Sequence, residues 1–464
     1  MGPHVSTREP VPPGLGPRID RLRIADLANL WAESPGMPSQ IALLAEFEVG
    51  PFLDDQGRLA AKRAGAELAQ RAARVPALTR RVLWTRPGQG RPVWVRDPAF
   101  DPAHHITCSS LRSGEDLLGW AADRVVRPLD RRRPLWRAEI VDGLPQGRFG
   151  LLVVLHHAVA DGLTAMAIAA ALFDSGPATR LADRPADPIP RPPTGRALVA
   201  DHLNSLRTAL SDDVRHIRHL PAAVRDAARQ LRDAAPDVRA PAPVTSLPRR
   251  VGPHRRLATV RVALGELRAA GHAHRATVND LLLAAVTSGL RDLLSGRGED
   301  VAGLVLRASF PVGELAGQHA GMLLVGLPVG EPDPQRRLST ITSATTSMKT
   351  RVRSGGGDVV DILRLPRPLA RLAVRWMRHA ARRHINLFVT NVPGPPRPLW
   401  LAGARMLDAV PIAPLTADVP VGVAALSYAD TLAISINTDA AVTDIDVLAD
   451  GIQRGFTDFA VAAR

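Results

Sequence analysis

The chain has 464 residues, a formal net charge of +14, 45% hydrophobic residues and only 4% aromatic residues. This length exceeds that of one ordinary domain, and the apolar fraction is sufficient for two substantial cores. The single cysteine, Cys108, excludes an internal disulfide and a cysteine-based metal cluster. Nucleic acid is not expected as a partner, because the chain has no zinc-finger spacing, no RNA-binding aromatic motif and few aromatic side chains for stacking.

The N-terminal segment indicates no export or membrane insertion. Residues 1–20 are polar and rich in proline, which predicts a flexible tail and not a signal peptide. No apolar run reaches the roughly 18 residues that a membrane-spanning helix needs. We therefore expect a cytoplasmic protein, with peripheral contact to the inner face of the cell membrane as the closest association with lipid.

Helical and extended patterns alternate along the first part of the chain. Apolar periodicity predicts helices over residues 24–31, 55–74, 116–126 and 163–173. Extended segments are predicted over residues 40–47, 93–96, 135–141 and 149–155. Together they predict an N-terminal domain over residues 21–175.

A proline-rich region separates this domain from the rest of the chain. Residues 176–254 are predicted to be a linker with helical periodicity over residues 197–232. Beyond it, strands are predicted over residues 257–262, 304–310, 421–426 and 431–437, and helices over residues 278–294 and 445–459. Residues 255–464 are therefore predicted to form the C-terminal domain.

The clearest chemical signal is His156-His157-Ala158-Val159-Ala160-Asp161-Gly162, between a predicted buried strand and a predicted helix. A neutral imidazole suits general-base catalysis, because its ordinary pKa is close to working pH. The aspartate can hold the loop by pairing with an arginine, and the glycine lets the backbone turn tightly into the helix. The alternative interpretation is a buried histidine pair satisfied by hydrogen bonds.

Several stretches in the same order resemble the bacterial wax ester synthase/diacylglycerol acyltransferase family. The segment above resembles the HHxxxDG motif of the CoA-dependent acyltransferase superfamily. Pro134-Leu135-Trp136, Asn279-Asp280 and Asn391-Val392-Pro393-Gly394-Pro395 are similar to further motifs of the family, and the resemblance covers roughly residues 20–460. It implies an α/β fold of two chloramphenicol-acetyltransferase-like domains with a central tunnel.

The resemblance also implies a reaction. The expected activity is transfer of a fatty acyl group from acyl-CoA to the hydroxyl of a diacylglycerol or a fatty alcohol, with neither a cofactor nor a metal. His157 is expected to be the general base, with His156 in support. Asp161 and Gly162 are expected to shape the loop, and Arg307 is the candidate arginine partner of Asp161.

The remaining motif residues have two interpretations each. Asn279, Asp280 and Asn391 are expected either to shape the substrate site in the cleft or to act structurally. Pro134 and Trp136 belong to the motifs that are expected to bind substrate. We interpret these two residues as packing that positions the histidines.

Two departures from the family pattern leave the substrates open. Gln40 stands where a histidine is often found, and Gly317-Gln318 stands in place of Gly-Asn. The alternative function is therefore O- or N-acylation of a specialised-metabolite acceptor, with the acyl group carried by a carrier protein. A non-enzymatic lipid-surface or scaffold protein is a third interpretation, disfavoured by the intact motif.

Residues 363–384 contain seven arginines among Leu, Val, Trp and Met, without an acidic residue. Such a segment is typical of a helix that lies on an anionic membrane or lipid-droplet surface. It is equally typical of a surface helix that packs on its own domain and exposes a basic face.

Overall fold

Two mixed β-sheets organise the protein. The computed structural model describes residues 19–177, 190–216, 241–248, 250–311, 322–353, 371–372, 374–375 and 381–462. In this part the strands form two six-stranded sheets and one two-stranded sheet, with helices packed against them. The predicted α/β class is therefore confirmed.

The helices of the described part are α1 Ile24–Ala32, α2 Ala61–Ala72, α3 Leu117–Val125, α4 Gly162–Leu172, α5 Gly195–His216, α6 Leu264–Ala273, α7 Val278–Gly296, α8 Pro334–Arg353 and α9 Ile445–Ala462.

The strands are β1 Gln40–Glu48, β2 Arg80–Leu83, β3 Val93–Arg96, β4 Ile106–Ser110, β5 Trp136–Leu144, β6 Arg148–His156, β7 Arg255–Ala263, β8 Val305–Pro311, β9 Met322–Pro328, β10 Leu387–Val392, β11 Trp400–Leu401, β12 Ala404–Ile412, β13 Val421–Tyr428 and β14 Thr431–Asp439.

The first sheet has the order β11-β12-β1-β6-β5-β4 and carries the histidine motif. Its central strand β6 is buried along nearly its whole length, as its continuous apolar sequence predicts. The core on one face of this sheet contains Phe47, Trp136 and Phe149, and the ring centres of Phe47 and Phe149 are 5.3 Å apart in a stacked arrangement. The motif therefore leaves the sheet from a strand that is held on both edges.

Two strands from far along the chain complete this sheet. β12 pairs antiparallel with β1, and β11 pairs with β12. Side chains of the second sheet also reach this segment, since Asn437 Nδ2 donates to the carbonyl oxygen of Ala413 at 2.8 Å and Arg261 pairs with Asp408. Residues 404–413 thus tie the two sheets together, and the predicted boundaries at residues 175 and 255 stay a prediction.

The second sheet has the order β7-β14-β13-β10-β8-β9. Helices α7 and α9 cover one face, and most side chains of α7 from Leu281 to Leu290 are buried. The two helices approach closely at two glycines, because a Cβ on Gly451 would lie 2.7 Å from the Cα of Gly289. A side chain at either glycine would push the helices apart.

Several predicted elements differ from the structure. The helix predicted over residues 55–74 begins only at Ala61, because the Asp54 carboxylate accepts hydrogen bonds from the backbone N–H groups of Gln56 and Arg58 and forms a turn. Residues 217–232 of the helix predicted over 197–232 lie outside the described residues. The sequence patterns predict neither β10, which has 6 residues, nor β12, which has 9 residues.

Candidate active site

The histidine motif forms the connection between β6 and α4. β6 ends at His156 and α4 begins at Gly162, so His157 lies on the loop just beyond the sheet. Asp161 is the N-cap of α4, and its carboxylate accepts a hydrogen bond from the backbone N–H of Thr164 at 2.8 Å. This cap satisfies one of the free N–H groups at the start of the helix.

His156 is buried, and a polar group lies close to each of its ring nitrogens. Its Nδ1 accepts a hydrogen bond from the backbone N–H of Ala158 at 2.9 Å. The ring proton must therefore be on Nε2, which lies 3.0 Å from Glu33 Oε1. These contacts fix the orientation of the His156 ring inside the loop.

Glu33 connects this histidine to the rest of the loop. Its Oε1 also accepts the backbone N–H of Ser39 at 3.0 Å, and its Oε2 pairs with Arg131. Burial would raise the pKa of Glu33, but the hydrogen bonds from His156, Arg131 and Ser39 outweigh burial and hold that pKa at about 2. Glu33 is therefore ionised, and sequence reasoning assigned it no role because its partners are distant in sequence.

The backbone of His157 is held by the same group of residues. Its N–H donates to the carbonyl oxygen of Ser39 at 2.8 Å, so Ser39 contacts Glu33 through its N–H and His157 through its carbonyl. Burial lowers the pKa of His157, and a hydrogen bond of the ring to the residue's own backbone opposes this effect without cancelling it. The ring is therefore neutral at working pH.

The imidazole of His157 faces a cavity of about 420 Å³ between the two sheets. Side chains of β1, β6, α4, β10 and β12 form most of the wall, and nearly all of them are apolar. The polar residues in the lining are Asn29, Ser39, His157, Ser309, Thr390 and Thr416. Such a cavity suits a long apolar ligand that presents one reactive group to the imidazole.

The carboxylate of Asp161 is held at the start of α4. Burial would raise the pKa of Asp161, but hydrogen bonds from the backbone and side chain of Thr164 and the nearby charge of Arg23 lower it below its ordinary value. The backbone of α4 therefore holds this carboxylate. The Arg307 backbone N–H donates to Asn386 Oδ1 at 2.9 Å, and the pairing of the Arg307 side chain with Asp161 stays a prediction.

Gly162 allows the motif to contact the second sheet. A Cβ at this position would lie 2.8 Å from Cγ2 of Val392, at the end of β10. The start of α4 therefore packs directly against the Asn391-Val392-Pro393-Gly394-Pro395 segment, which brings two of the sequence motifs together.

The amide motifs form a bridge beside the cavity. Asn391 Nδ2 donates to Asn279 Oδ1 at 2.6 Å, joining β10 to the first turn of α7. Asp280 forms a capping box with Thr277 and accepts a hydrogen bond from the Thr345 hydroxyl at 2.7 Å, joining α7 to α8. These asparagines and Asp280 are absent from the cavity lining, whereas Val392 belongs to it. Their role, in the substrate site or in the fold, stays a prediction.

Pro134 and Trp136 lie in the interior of the first sheet. The indole N–H of Trp136 donates to the carbonyl oxygen of Leu78 at 2.7 Å, and its ring stacks on His105 at 4.7 Å. Neither Pro134 nor Trp136 belongs to the lining of the cavity. The interpretation of both residues as packing that positions the histidines stays a prediction.

Of the two departures from the family pattern, the structure describes only Gln40. Gln40 is buried, lies opposite His156 across β1 and β6, and has no hydrogen-bond partner for its side-chain amide within the described structure. Gln318 lies outside the described residues.

The described residues include no group of three or more His, Cys, Asp or Glu side chains that could hold a metal ion. The expectation of a reaction without metal or cofactor stays a prediction. Among the helices of the described part, none combines the length and hydropathy needed to cross a bilayer.

Comparison with known proteins agrees with this arrangement. Solved structures of similar fold include the wax ester synthase/diacylglycerol acyltransferase from Marinobacter aquaeolei VT8, with a TM-score of 0.68 and 21% identity over 96% of this chain and 99% of that one. The first condensation domain of the calcium-dependent antibiotic synthetase has a TM-score of 0.58 and 16% identity over 96% of each chain. At these identities, the likeness establishes the two-domain fold. A continuous tunnel between the domains stays a prediction.

The sequence comparisons identify the family. The probable diacylglycerol O-acyltransferase tgs1 of Mycobacterium tuberculosis is 31% identical over 456 residues, which cover 95% of each chain. The catalytic-domain model of the wax ester synthase/diacylglycerol acyltransferases matches residues 22–282, and the model of their C-terminal domain matches residues 316–459. The chain therefore belongs to the wax ester synthase/diacylglycerol acyltransferase family.

Proposed function

We propose that His157 is the general base with which this protein, an acyl-CoA-dependent O-acyltransferase, activates the acceptor hydroxyl. The observation that supports this role is the neutral imidazole at the wall of an otherwise apolar cavity between the sheets. Only Nδ1 of a histidine can reach its own carbonyl oxygen, so the internal hydrogen bond leaves Nε2 free to accept a proton from the substrate.

The chemical steps follow from this arrangement. Nε2 of His157 removes the hydroxyl proton as the oxygen attacks the thioester carbonyl carbon, and the carbonyl electrons move to the carbonyl oxygen. The tetrahedral intermediate then collapses, the C–S bond breaks, and the imidazolium returns its proton to the leaving thiolate. The products are an ester and free CoA. Glu33 and His156 act as positioning residues, because they contact the loop and not the cavity.

We propose a lipid hydroxyl as the acceptor, either diacylglycerol or a fatty alcohol. The apolar lining supports this choice, since burying each methylene of an acyl chain stabilises binding by about 0.8 kcal/mol. The alternative is O- or N-acylation of a specialised-metabolite acceptor, with a donor bound to a carrier protein.

Release of free thiol from palmitoyl-CoA tests the proposal. The assay compares hexadecanol, a diacylglycerol and no acceptor, for the wild type and for His157→Ala. We expect acceptor-dependent release that falls by about 10²- to 10⁴-fold in the variant. His104→Ala is the matched control, because this histidine is exposed and remote from the cavity. Full activity of His157→Ala would contradict the proposal, and release with neither lipid acceptor would favour a specialised one.

We further propose that the protein takes its lipid substrates from an anionic lipid surface. α5 supports this, because Val199, Leu203 and Leu206 lie on one face of the helix and are exposed, Leu203 by 51%. Most of residues 363–384 lies outside the described part. Of the residues in this segment that the structure describes, Leu372 is exposed, and the guanidinium of Arg371 lies 5.3 Å from the centre of the Trp31 ring.

Co-flotation with vesicles containing anionic lipid tests this proposal. We expect the wild type to float with the vesicles and a Leu203→Ser/Leu206→Ser variant to remain in solution. Equal flotation of both proteins would contradict a lipid contact through α5.

A further inference from the structure

A second cavity, rich in arginine, adjoins the apolar one. It has a volume of about 590 Å³ and lies between residues 241–250, the residues just before β10 and the loop that precedes β13. Arg250, Arg382 and Arg383 line it, and Asp418 is the only acidic residue among the described residues of its lining. The cavity therefore has an excess of positive charge that no assigned role explains.

The arginines differ in how far they are neutralised. Arg382 lies 3.6 Å from Asp418. The side chains of Arg250 and Arg383 are exposed and have no carboxylate partner within the described ranges. Within the described structure, two guanidinium groups are therefore available to bind an anion, and the planar donor pattern of arginine suits phosphate oxygens.

The wall that carries these arginines is held in place. Asn386 Nδ2 donates to the carbonyl oxygen of Pro243 at 2.9 Å, and its Oδ1 accepts the Arg307 backbone N–H. The backbone N–H of Ala242 donates to the carbonyl oxygen of Arg383 at 2.7 Å. The cavity is thus a built feature of the second sheet and not a gap between loose loops.

The two cavities share two chain segments. Asn386 lines the arginine cavity, and Phe388, two residues further on, lines the apolar one. On the loop before β13, Asp418 lines the arginine cavity, and Thr416, two residues earlier, lines the apolar one. β10 then leads from this junction to Val392, which contacts Gly162 beside the histidine motif. At about 3.3 Å per residue, the strand spans roughly 16 Å between its two ends.

Hydroxyl groups lie along this path. Ser309 lines the apolar cavity, is 0% exposed, and its Oγ has no hydrogen-bond partner among the described residues. Ser309 lies opposite Phe388 on the neighbouring strand, and Thr390 lies two residues further along β10. A buried hydroxyl without a partner is costly, and a bound ligand that carries amide groups would satisfy it.

We propose that the arginine cavity binds the phosphate groups of CoA. The pantetheine arm then follows β10 past Ser309 and Thr390, the thioester lies at His157, and the acyl chain continues along the apolar side of α4. This assignment rests on the proposed function. It explains why a positively charged cavity, a polar path and an apolar cavity occur in this order, because acyl-CoA has its phosphates, its pantetheine amides and its acyl chain in the same order.

Steady-state kinetics of Arg250→Ala and Arg383→Ala with palmitoyl-CoA test the assignment. We expect each variant to raise KM for palmitoyl-CoA about tenfold or more and to change kcat less than twofold, because the arginines contact the phosphates and not the reacting atoms. Arg268→Ala is the matched control, since this arginine is exposed on α6 and outside both cavities. Thermal unfolding of all three variants checks that the fold is intact.

Two shorter donors identify the group that is bound. With palmitoyl-dephospho-CoA the KM difference between the wild type and the variants should shrink, and with S-palmitoyl-pantetheine, which lacks phosphate, it should vanish. A KM difference that persists with S-palmitoyl-pantetheine overturns the assignment, as does an unchanged KM for palmitoyl-CoA. If the variants instead lose only binding to anionic vesicles, the cavity binds a lipid headgroup and the assignment is wrong. Wild-type protein that releases no thiol from palmitoyl-CoA would refute the proposed function itself.

Discussion

The two walls of the cleft use different polar chemistry. On the side of the first sheet, the imidazole of His156 and, by way of Ser39, the backbone of His157 are connected to the ionised Glu33 and, through it, to Arg131. On the side of the second sheet, the strand that reaches the motif through Val392 carries Asn391, which forms a neutral amide pair with Asn279.

This difference follows from what each wall must do. A base gains a positive charge during the reaction. The fixed carboxylate of Glu33 lies beside His156, the neighbour of the base, and can hold the loop while the charge on the His157 imidazole changes. The second wall must keep its shape without shifting the pKa of the base, and neutral amides do this at little electrostatic cost. The comparison predicts large effects of changes on the first wall and small effects on the second.

The pH dependence of activity should show the largest effect. Only the neutral imidazole of His157 can accept a proton, and burial lowers its pKa below the ordinary value of 6.5. We expect kcat/KM to stay near its plateau at pH 6.5 and to fall tenfold for each pH unit below the pKa of His157. A pH–rate profile from pH 4.5 to 8 measures this, and a midpoint at or above pH 6.5 would contradict the assignment.

Replacing the carboxylate of the first wall should affect both catalysis and stability. Glu33→Gln should lower kcat about tenfold or more, because it loosens Ser39 and the His156 ring, which hold the loop of His157. The folded pKa of about 2 lies below the ordinary 4.5, so the carboxylate stabilises the fold above pH 4.5 by at most about 3 kcal/mol. That contribution is lost as the pH falls from 4.5 towards 2.

Urea unfolding of Glu33→Gln at pH 7 and pH 3 measures this contribution. We expect the variant to be less stable than the wild type at pH 7, with a smaller difference at pH 3. Glu46→Gln is the control, because Glu46 pairs with Arg148 at the other end of β1. Equal losses of kcat in the two variants would show that Glu33 does not act through the histidine loop.

The contact between the two walls can be tested by changing the size of the side chains that form it. Gly162→Ala should cost about 1–3 kcal/mol in the free energy of unfolding and reduce activity, because the new Cβ would clash with Val392. Val392→Ala removes the clashing methyl groups, so the double variant should recover part of the loss. Denaturant unfolding of the four proteins measures the coupling, and strictly additive effects would show that the two residues do not press on each other.

The smallest effect is expected on the second wall. Asn391→Ala removes the hydrogen bond to Asn279 and should cost about 1 kcal/mol of stability, with a change in kcat of less than tenfold. Thiol-release kinetics and thermal unfolding measure the two effects. A loss of activity as large as that of His157→Ala would mean that the amide acts on the substrate, and the contrast between the walls would fail.

Local sequence patterns predicted the elements that carry the motif. Strand β6 and helix α4 are confirmed, because a continuous apolar run and a helical run are adjacent there and a turn of polar and small residues separates them. The pairing of Asp161 with Arg307 stays a prediction, because it depends on a contact between distant residues that no local pattern reports. The capping role of Asp161 could have been recognised from its position just before a helix.

The amino-acid sequence by itself determined the α/β class, the position of the histidine loop between a strand and a helix, and the family, because these depend on periodicity and on short motifs. Only the tertiary structure decided that Glu33 and Ser39 hold this loop, that β12 completes the first sheet, and that an arginine cavity adjoins the apolar one. These features join residues that are far apart along the chain. Their energies come from burial and hydrogen bonding between elements, which local sequence does not encode.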